Sequence, residues 1–247
     1  MSALLQVNQL CRSFGALKVT QDVNLSLAAG DRIALIGPNG AGKTSLVNLI
    51  SGALRPTSGS VQFQGVDVTG LDQAARASQG LIRTYQVTRL FRALSVADNV
   101  RLALLQRSGQ SRQLFKPVAR MSELEEKAHR VLQLLQLSDR YNTKVANLAY
   151  GEQRLVEIAL AAAMEPKVLL LDEPAAGVPQ SESHVIFSAL AQLPQQMAVM
   201  LIEHDMDLVF RFAKEIVVLV AGAVMLRGTP AEIAQDVRVR QLYLGEG

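Results

Sequence analysis

Residues 37–45 carry the pattern of a phosphate-binding loop. Their sequence, Gly-Pro-Asn-Gly-Ala-Gly-Lys-Thr-Ser, fits G-x-x-x-x-G-K-[ST] without a mismatch. The glycines let successive backbone N–H groups turn toward phosphate oxygens, and the helix expected to follow adds the partial positive charge of its N-terminus. We predict that Lys43 reaches the β- and γ-phosphates of a nucleoside triphosphate and that the Thr44 hydroxyl ligates Mg²⁺. The candidate nucleotide-binding residues of the loop are Gly37, Pro38, Asn39, Gly40, Ala41, Gly42, Lys43, Thr44 and Ser45.

Two further groups of polar residues stand directly after apolar runs. Asp172 and Glu173 follow the run at 168–171, and the run at 199–202 leads into Glu203 and then His204. With the apolar run that precedes the loop, these segments are typical of buried parallel strands, and ligands bind beyond the carboxyl ends of such strands. We predict that Asp172 holds Mg²⁺ and that Glu173 polarises the water that attacks the γ-phosphate. We expect the His204 imidazole to hydrogen-bond the phosphate or the water.

Composition narrows the class of protein. Of 247 residues 49% are apolar, which argues against disorder, and the net charge of +3 comes without a dense basic stripe, so we expect no nucleic-acid partner. The single cysteine, Cys11, is typical of a reducing compartment, and we see no export signal at the start of the chain. The longest apolar run, at 216–226, is about half of the ~20 residues that a spanning helix needs.

The remaining pattern predicts one α/β domain over residues 1–247. Alternating runs within residues 4–36 predict half-exposed antiparallel strands beside the nucleotide-binding core. Two capping boxes, beginning at Ser95 and Ser122, predict helix starts. We therefore expect a P-loop NTPase core with a mostly parallel sheet and a flanking antiparallel layer, covering about 1–91 and 160–247. A helical subdomain is expected at about 92–159, inserted between the two parts of the core.

The motifs together resemble those of the ABC-transporter ATPases. Residues 148–153, Leu-Ala-Tyr-Gly-Glu-Gln, are similar to the signature segment of that family, and Phe14 resembles the aromatic residue that stacks on adenine. Gln86 resembles the Q-loop glutamine, which contacts nucleotide and metal, and His204 resembles the switch histidine. The resemblance implies Mg²⁺-dependent ATP hydrolysis in a head-to-tail dimer. In that dimer the signature segment of one subunit contacts ATP bound to the other, and its candidate residues here are Ala149, Tyr150, Gly151 and Glu152.

One branch of the family is closer in motif than the others. Four segments resemble the ATPases of branched-chain amino acid importers, namely residues 83–91, the signature form Leu-Ala-Tyr-Gly, residues 202–207 and residues 242–246. Such importers use two different ATPase subunits, and this chain resembles the one with an Arg-Thr-x-Gln loop. This resemblance implies a second ATPase subunit, in a heterodimer or a homodimer, hydrophobic permease subunits and, indirectly, a periplasmic or extracellular solute-binding protein. It also implies a peripheral location on the cytoplasmic face of the membrane, with branched-chain or other amino acids as solutes.

Alternatives remain open from the sequence. One alternative is an ATPase that exports lipid-linked material, because such ATPases resemble this branch. Another is a soluble ABC ATPase that acts in regulation or DNA repair and moves no solute. The pair Glu173 and His204 disfavours a nucleotide-binding scaffold without turnover. Three residues depart from the usual signature, because Ala149 replaces serine, Tyr150 replaces the first glycine and Glu152 replaces glutamine.

Overall fold

A computed structural model describes residues 3–84, 90–107 and 118–244 of the chain. The strands are β1 (Ala3–Phe14), β2 (Leu17–Ala28), β3 (Arg32–Ile36), β4 (Ser58–Phe63), β5 (Val66–Asp67), β6 (Leu81–Arg83), β7 (Val168–Asp172), β8 (Ala198–Ile202), β9 (Glu215–Val220) and β10 (Ala223–Gly228). The helices are α1 (Lys43–Ser51), α2 (Gln73–Gln79), α3 (Val96–Arg107), α4 (Val118–Leu134), α5 (Tyr150–Ala163), α6 (Gln180–Ala191), α7 (Met206–Phe212), α8 (Pro230–Gln235) and α9 (Val237–Leu244). The predicted α/β class is confirmed.

The larger sheet has six strands in the order β10-β9-β3-β8-β7-β6. Its strands pair in parallel from β9 to β6, and only the edge strand β10 is antiparallel. Every residue of β7 and β8 is buried, as expected for central parallel strands covered on both faces. In β3, Ile33 and Leu35 face one hydrophobic core, while Ala34 and Ile36 face a second. The sheet is therefore a rigid platform whose strand ends can hold a site.

The smaller sheet is the predicted antiparallel layer, with strand order β2-β1-β4-β5. In β1, buried Leu5 and Val7 alternate with exposed Gln6 and Asn8, so that one face of this sheet packs on the core and the other meets water. The buried residues of β1, β2 and β4 share one core with α1 and with one face of the parallel sheet. This core fixes the helix that follows the phosphate-binding loop.

A buried arginine completes the C-terminal end of α1. Arg76, in α2, is 1% exposed and donates to the carbonyl oxygens of Leu49 at 2.8 Å and Ile50 at 2.7 Å, in the last turn of α1. It also donates to the Thr69 and Leu71 carbonyls, at 2.9 Å and 3.1 Å. A cation at a helix C-terminus is favourable because the last carbonyls carry partial negative charge. Burial lowers the pKa of Arg76 below its ordinary value.

The chain packs as two units. The first contains both sheets and consists of residues 1–83, 167–173 and 195–247, and the second is mostly helical and consists of 84–166 and 174–194. The sequence-based expectation ended the helical subdomain near 159 and assigned α6 to the core. In the structure α6 belongs to the helical unit because it packs against α5.

One of the two helix starts predicted from the sequence is found in the structure. The first motif does begin a helix, since the Asp98 N–H donates to Ser95 Oγ at 3.1 Å and Ser95 Oγ donates to Asp98 Oδ2 at 2.6 Å, so that Ser95 is an N-cap. The prediction of a helix start at Ser122 was wrong, because α4 already begins at Val118 and Ser122 lies inside it. Helix α5 begins at Tyr150, inside the segment that resembles the family signature.

The long apolar run near the C-terminus forms a hairpin. It is divided between β9 and β10, which pair antiparallel across a turn at Ala221 and Gly222. Across the three described ranges, no helix has both the length and the apolar character that crossing a bilayer would require.

Candidate active site

The phosphate-binding loop joins β3 to α1 and depends on glycine at two crowded positions. A Cβ at Gly37 would lie 2.1 Å from the Leu219 carbonyl oxygen. At Gly42, where φ is +97°, a Cβ would lie 2.4 Å from the Val19 carbonyl oxygen. Gly40 has φ +79° and open space around its missing side chain, so this part of the loop can approach a ligand closely. Glycine therefore lets the loop pack closely against Leu219 and Val19 while the backbone at Gly40 stays open to the outside.

Lys43 extends over the loop from the first position of α1. Its Nζ donates to the carbonyl oxygens of Gly37 at 2.7 Å and Pro38 at 3.1 Å. Partial burial lowers the pKa of Lys43 below its ordinary value, against the smaller raising effects of Glu173 and Asp172. The ammonium group thus lies where the loop curls and within the field of two carboxylates.

The N-terminus of α1 is open to an anion. The first i→i−4 hydrogen bond of α1 runs from the Leu46 N–H to the Gly42 carbonyl at 2.9 Å. The N–H groups of Lys43, Thr44 and Ser45 precede it and belong to the first turn, whose N–H groups have no partner within the helix. Thr44 is exposed, Ser45 is half-buried, and no acidic residue stands in the first turn. Of the other predicted loop residues, Ala41 is buried, Pro38 is half-buried and Asn39 is exposed.

The strands that carry the other predicted residues end at the same edge of the sheet. In the pairing register, Ile202 of β8 lies opposite Leu35 of β3 and also opposite Asp172 of β7. The loop, the Asp172-Glu173 pair and His204 therefore start from neighbouring positions, as the sequence suggested. The parallel strands themselves bring these residues together, because their carboxyl ends lie at the same edge of the sheet.

Asp172 is held by an arginine. Its side chain is 4% exposed, and its Oδ2 accepts a hydrogen bond from Arg83 Nη2 at 2.6 Å. Arg83 Nη1 donates to Asn48 Oδ1 of α1. Sequence reasoning used Arg83 only as part of a family resemblance, and it missed Asn48. The one available signal was the spacing of Asn48 four residues after Thr44, which places both on one face of a helix.

Glu173 has an unusual backbone. Its φ is +45°, and its N–H donates to the Ile202 carbonyl at 3.0 Å across the strand end. Positive φ is uncommon for a residue other than glycine, and such strain is concentrated at functional sites. The turn directs the chain away from β7 directly after Asp172. Glu173 is half-buried, which suits a carboxylate that must exchange protons with water.

His204 is exposed, and a buried carboxylate lies beneath it. The His204 side chain is 70% exposed, whereas that of Glu203 is 2% exposed. Glu203 Oε2 accepts the His204 N–H at 3.1 Å and lies 3.6 Å from His204 Nδ1. Glu203 was not singled out from the sequence, although its position directly before His204 was a visible signal.

Phe14 lies at the end of β1 and is 49% exposed. The guanidinium carbon of Arg12 is 4.4 Å from the centroid of its ring, a cation–π distance. An exposed aromatic ring at a strand end can stack on a base. Gln86, the other residue assigned to nucleotide and metal, lies outside the described residues.

The signature segment forms the first turn of α5, in the helical unit. Ala149 is the N-cap, and its N–H donates to Glu152 Oε2 at 2.9 Å. Glu152 Oε1 accepts from Arg140 Nε at 2.6 Å, so the carboxylate at this position is paired with a cation. Gly151 is half-buried and Tyr150 is 48% exposed. A Cβ at Gly177 would lie 3.2 Å from the Tyr150 hydroxyl, so Tyr150 packs directly on that turn.

Comparison with known proteins gives one family. A family model described as "ABC transporter" matches residues 20–176. The chain is 38% identical over 250 residues to the high-affinity branched-chain amino acid transport ATP-binding protein LivG of Escherichia coli, covering 98% of each sequence. It is 37% identical to the corresponding protein BraF of Pseudomonas aeruginosa, with the same coverage.

Solved structures agree with the sequence comparison. The crystal structure of the ADP conformation of an ATP-binding cassette from an ABC transporter matches with a TM-score of 0.84 and 29% identity. That match covers all of both chains. The dimeric structure of a bacterial ABC transporter cassette matches in fold, with a TM-score of 0.75 and 23% identity over 92% of this chain.

Proposed function

The chain belongs to the ABC transporter family as an ATP-hydrolysing subunit, and from this premise we propose that it drives the uptake of branched-chain amino acids. The relatives that match over nearly its whole length are named for that transport. Uptake of other amino acids by the same mechanism is the nearest variant. The ATPase itself does not touch the solute, so the substrate assignment rests on these relatives.

One observation carries the proposed chemistry, namely the common edge at which β3, β7 and β8 end. The phosphate-binding loop and Lys43 bind the triphosphate, and Phe14 stacks on the base. Glu173 accepts a proton from the attacking water, and His204 hydrogen-bonds the γ-phosphate. Gln86 contacts the nucleotide and the metal, as the family resemblance implies. The roles of Lys43, Glu173 and His204 are supported by their side-chain chemistry at the carboxyl ends of strands and at the N-terminus of α1, whereas those of Phe14 and Gln86 come from the family resemblance.

Thr44, Asp172 and Gln86 are the proposed ligands of Mg²⁺. Mg²⁺ prefers oxygen ligands, and in nucleotide sites it uses one or two carboxylate or hydroxyl groups together with phosphate oxygens and water. When bound, the ion neutralises negative charge on the phosphates. The available oxygen atoms support this assignment, because the buried Asp172 carboxylate of β7 and the exposed Thr44 hydroxyl of α1 stand on adjoining elements of one unit.

The proposed working assembly has several chains. A second ATPase subunit, either another copy of this chain or a different one, pairs head-to-tail with it, and the signature residues Ala149, Tyr150, Gly151 and Glu152 contact the ATP held by that partner. Hydrophobic permease subunits carry the solute, and a solute-binding protein delivers it. The chain is then peripheral, on the cytoplasmic face of the membrane.

Uptake measured in cells tests the substrate class. We expect cells without the chain to lose energy-dependent uptake of labelled leucine, isoleucine and valine, and the wild-type chain to restore it. Glu173→Gln, produced at the same level, should not restore uptake, whereas Glu126→Gln on the exposed side of α4 should. Unchanged uptake of all three amino acids in cells without the chain would reject this function. Accumulation of lipid-linked material in those cells would instead support an exporter.

A further inference from the structure

Arg83 joins two elements that the proposed metal site requires. It ends β6, where it lies opposite Leu170 of β7 in the parallel pairing. From there Nη2 donates to Asp172 Oδ2 at 2.6 Å, and Nη1 donates to Asn48 Oδ1. The side chains of Arg83 and Asp172 are 6% and 4% exposed. One buried guanidinium therefore contacts both the strand that carries Asp172 and the helix that follows the phosphate-binding loop.

The contact with Asn48 matters because of its position in α1. Asn48 stands four residues after Thr44, so the two share one face of the helix, one turn apart. Arg83 thus links Asp172 to the helix turn directly after Thr44. The elements β3, β7 and α1 also pack in the same core. The two hydrogen bonds of Arg83 join β7 to α1, and they therefore oppose a shift of α1 relative to β7.

We propose that Arg83 is a positioning residue that fixes the spacing of Thr44 and Asp172 for Mg²⁺–ATP. The inference rests on the proposed function, which assigns these two residues to Mg²⁺. Arg83 uses one carboxylate oxygen of Asp172, and a carboxylate can accept at both. The arginine does not touch the nucleotide in this role. It acts by holding a metal ligand, in the way that hydrogen-bond partners of ligands tune other metal sites.

The opposite role, in which Arg83 competes with Mg²⁺ for Asp172, fits the contacts less well. Release of Asp172 would require a buried guanidinium to give up its anionic partner, and an unpaired buried charge is strongly unfavourable. The Asn48 contact also holds the guanidinium in place while Asp172 binds. The two roles predict opposite signs. Loss of Arg83 weakens Mg²⁺ binding if the residue positions Asp172, and strengthens it if the residue competes.

Arginine suits this position better than lysine. The planar guanidinium presents separate N–H groups to two acceptors at a fixed angle, whereas an ammonium group is a compact charge without that fork. Arg83→Lys should therefore keep the charge but lose part of the geometry. Its effect should be intermediate between the wild type and Arg83→Gln.

The test measures Mg²⁺ dependence of nucleotide binding by the full chain. A fluorescent ATP analogue is bound at rising Mg²⁺ concentrations, and binding in excess chelator gives the metal-free affinity. For Arg83→Gln we expect the half-saturating Mg²⁺ concentration to rise about 10-fold, the lower end of typical effects for partners of metal ligands. Metal-free nucleotide affinity should stay as in the wild type. Asn48→Ala should shift the Mg²⁺ response in the same direction by a smaller factor.

Arg227→Gln controls for the loss of an arginine–carboxylate pair outside the site, because Arg227 pairs with Glu215 in the β9–β10 hairpin, where both side chains are partly exposed. An Mg²⁺ response for Arg83→Gln equal to that of this control, or a lower half-saturating concentration, would overturn the proposal. If Arg83→Gln does not fold, Arg83→Lys and Asn48→Ala decide by the same criterion. Asp172→Asn distinguishes a failure of the Mg²⁺ assignment from a failure of the role proposed for Arg83. If it leaves the Mg²⁺ response unchanged, the metal assignment itself is wrong, whereas a response lost in Asp172→Asn but kept in Arg83→Gln rejects only the role of Arg83.

Discussion

At the scale of single residues, Lys43 is the side chain whose removal should affect nucleotide binding most directly. Its ammonium group lies over the loop, bonded to two loop carbonyls that a phosphate would replace as partners. Lys43→Ala removes this charge and leaves the loop glycines in place. We expect the dissociation constant for ATP to rise at least 10-fold, which corresponds to about 1.4 kcal/mol. Calorimetric titration with ATP measures the change.

Lys214→Ala provides the control for charge. Lys214 is exposed and stands directly before β9, at the amino end of a strand parallel to β3. It is therefore at the edge of the sheet opposite the loop, and its removal should leave ATP affinity unchanged. Equal affinities for Lys43→Ala and the wild type would contradict the assignment of residues 37–45 to phosphate.

The sequence identified those site residues that belong to short local patterns. The loop, Asp172, Glu173 and His204 each stand in a motif of a few residues, and the structure brings them to one sheet edge. The contact of Arg83 with Asp172 could not be predicted, because the two residues are 89 positions apart and only strand pairing brings them together. Glu203 was overlooked for another reason. A carboxylate at a strand end is expected to be exposed, and its burial beneath His204 depends on the packing of the whole sheet.

At the scale of elements, the N-terminus of α5 has half of a capping box. Ala149 donates its N–H to Glu152, but alanine has no oxygen to accept the Glu152 N–H in return. The backbone of Ala149, at φ −61° and ψ 158°, already has the extended conformation of an N-cap. Ala149→Ser should therefore stabilise the chain by about 1 kcal/mol. Thermal unfolding should shift upward by about 2–4 °C.

Ala149→Gly separates the hydroxyl from the backbone. Glycine is also favoured at N-caps but brings no side-chain acceptor, so its effect should be smaller than that of serine. An unfolding temperature for Ala149→Ser at or below that of Ala149→Gly would show that the serine hydroxyl does not complete the box.

Sequence patterns located the helices better than their starts. The motifs at Ser95 and Ser122 have the same form, yet only the first begins a helix. Ser-x-x-Glu is compatible with a helix interior when the preceding residues can continue the helix, and the residues from Val118 to Ser122 include neither glycine nor proline. In α5, Gly151 stands in the first turn although glycine has low helix propensity. The Glu152 carboxylate overrides that preference by capping Ala149 and pairing with Arg140.

At the scale of the whole molecule, the α/β architecture could be read from apolar runs. Three runs of four residues each became parallel strands, because only strands covered on both faces can be apolar throughout. The division into units was harder to predict. Residues 174–194 follow a core strand in sequence, but α6 packs on α5 and so belongs to the helical unit. Helix packing depends on side-chain shape over many residues, which periodicity alone does not describe.

The proposed pairing of subunits gives a prediction for the intact chain. A variant that binds ATP but does not hydrolyse it should retain the nucleotide and hold the dimer closed, because the γ-phosphate that contacts both subunits is not removed. Glu173→Gln keeps the size of the side chain and removes its basic oxygen. We expect this variant to elute as a dimer in size-exclusion chromatography with light scattering at saturating ATP, and as a monomer with ADP. Hydrolysis should fall at least 100-fold, as is typical when a general base is lost. Adding Lys43→Ala to the same chain should abolish the ATP-dependent dimer, and a monomer of Glu173→Gln at saturating ATP would contradict the pairing of two copies of this chain.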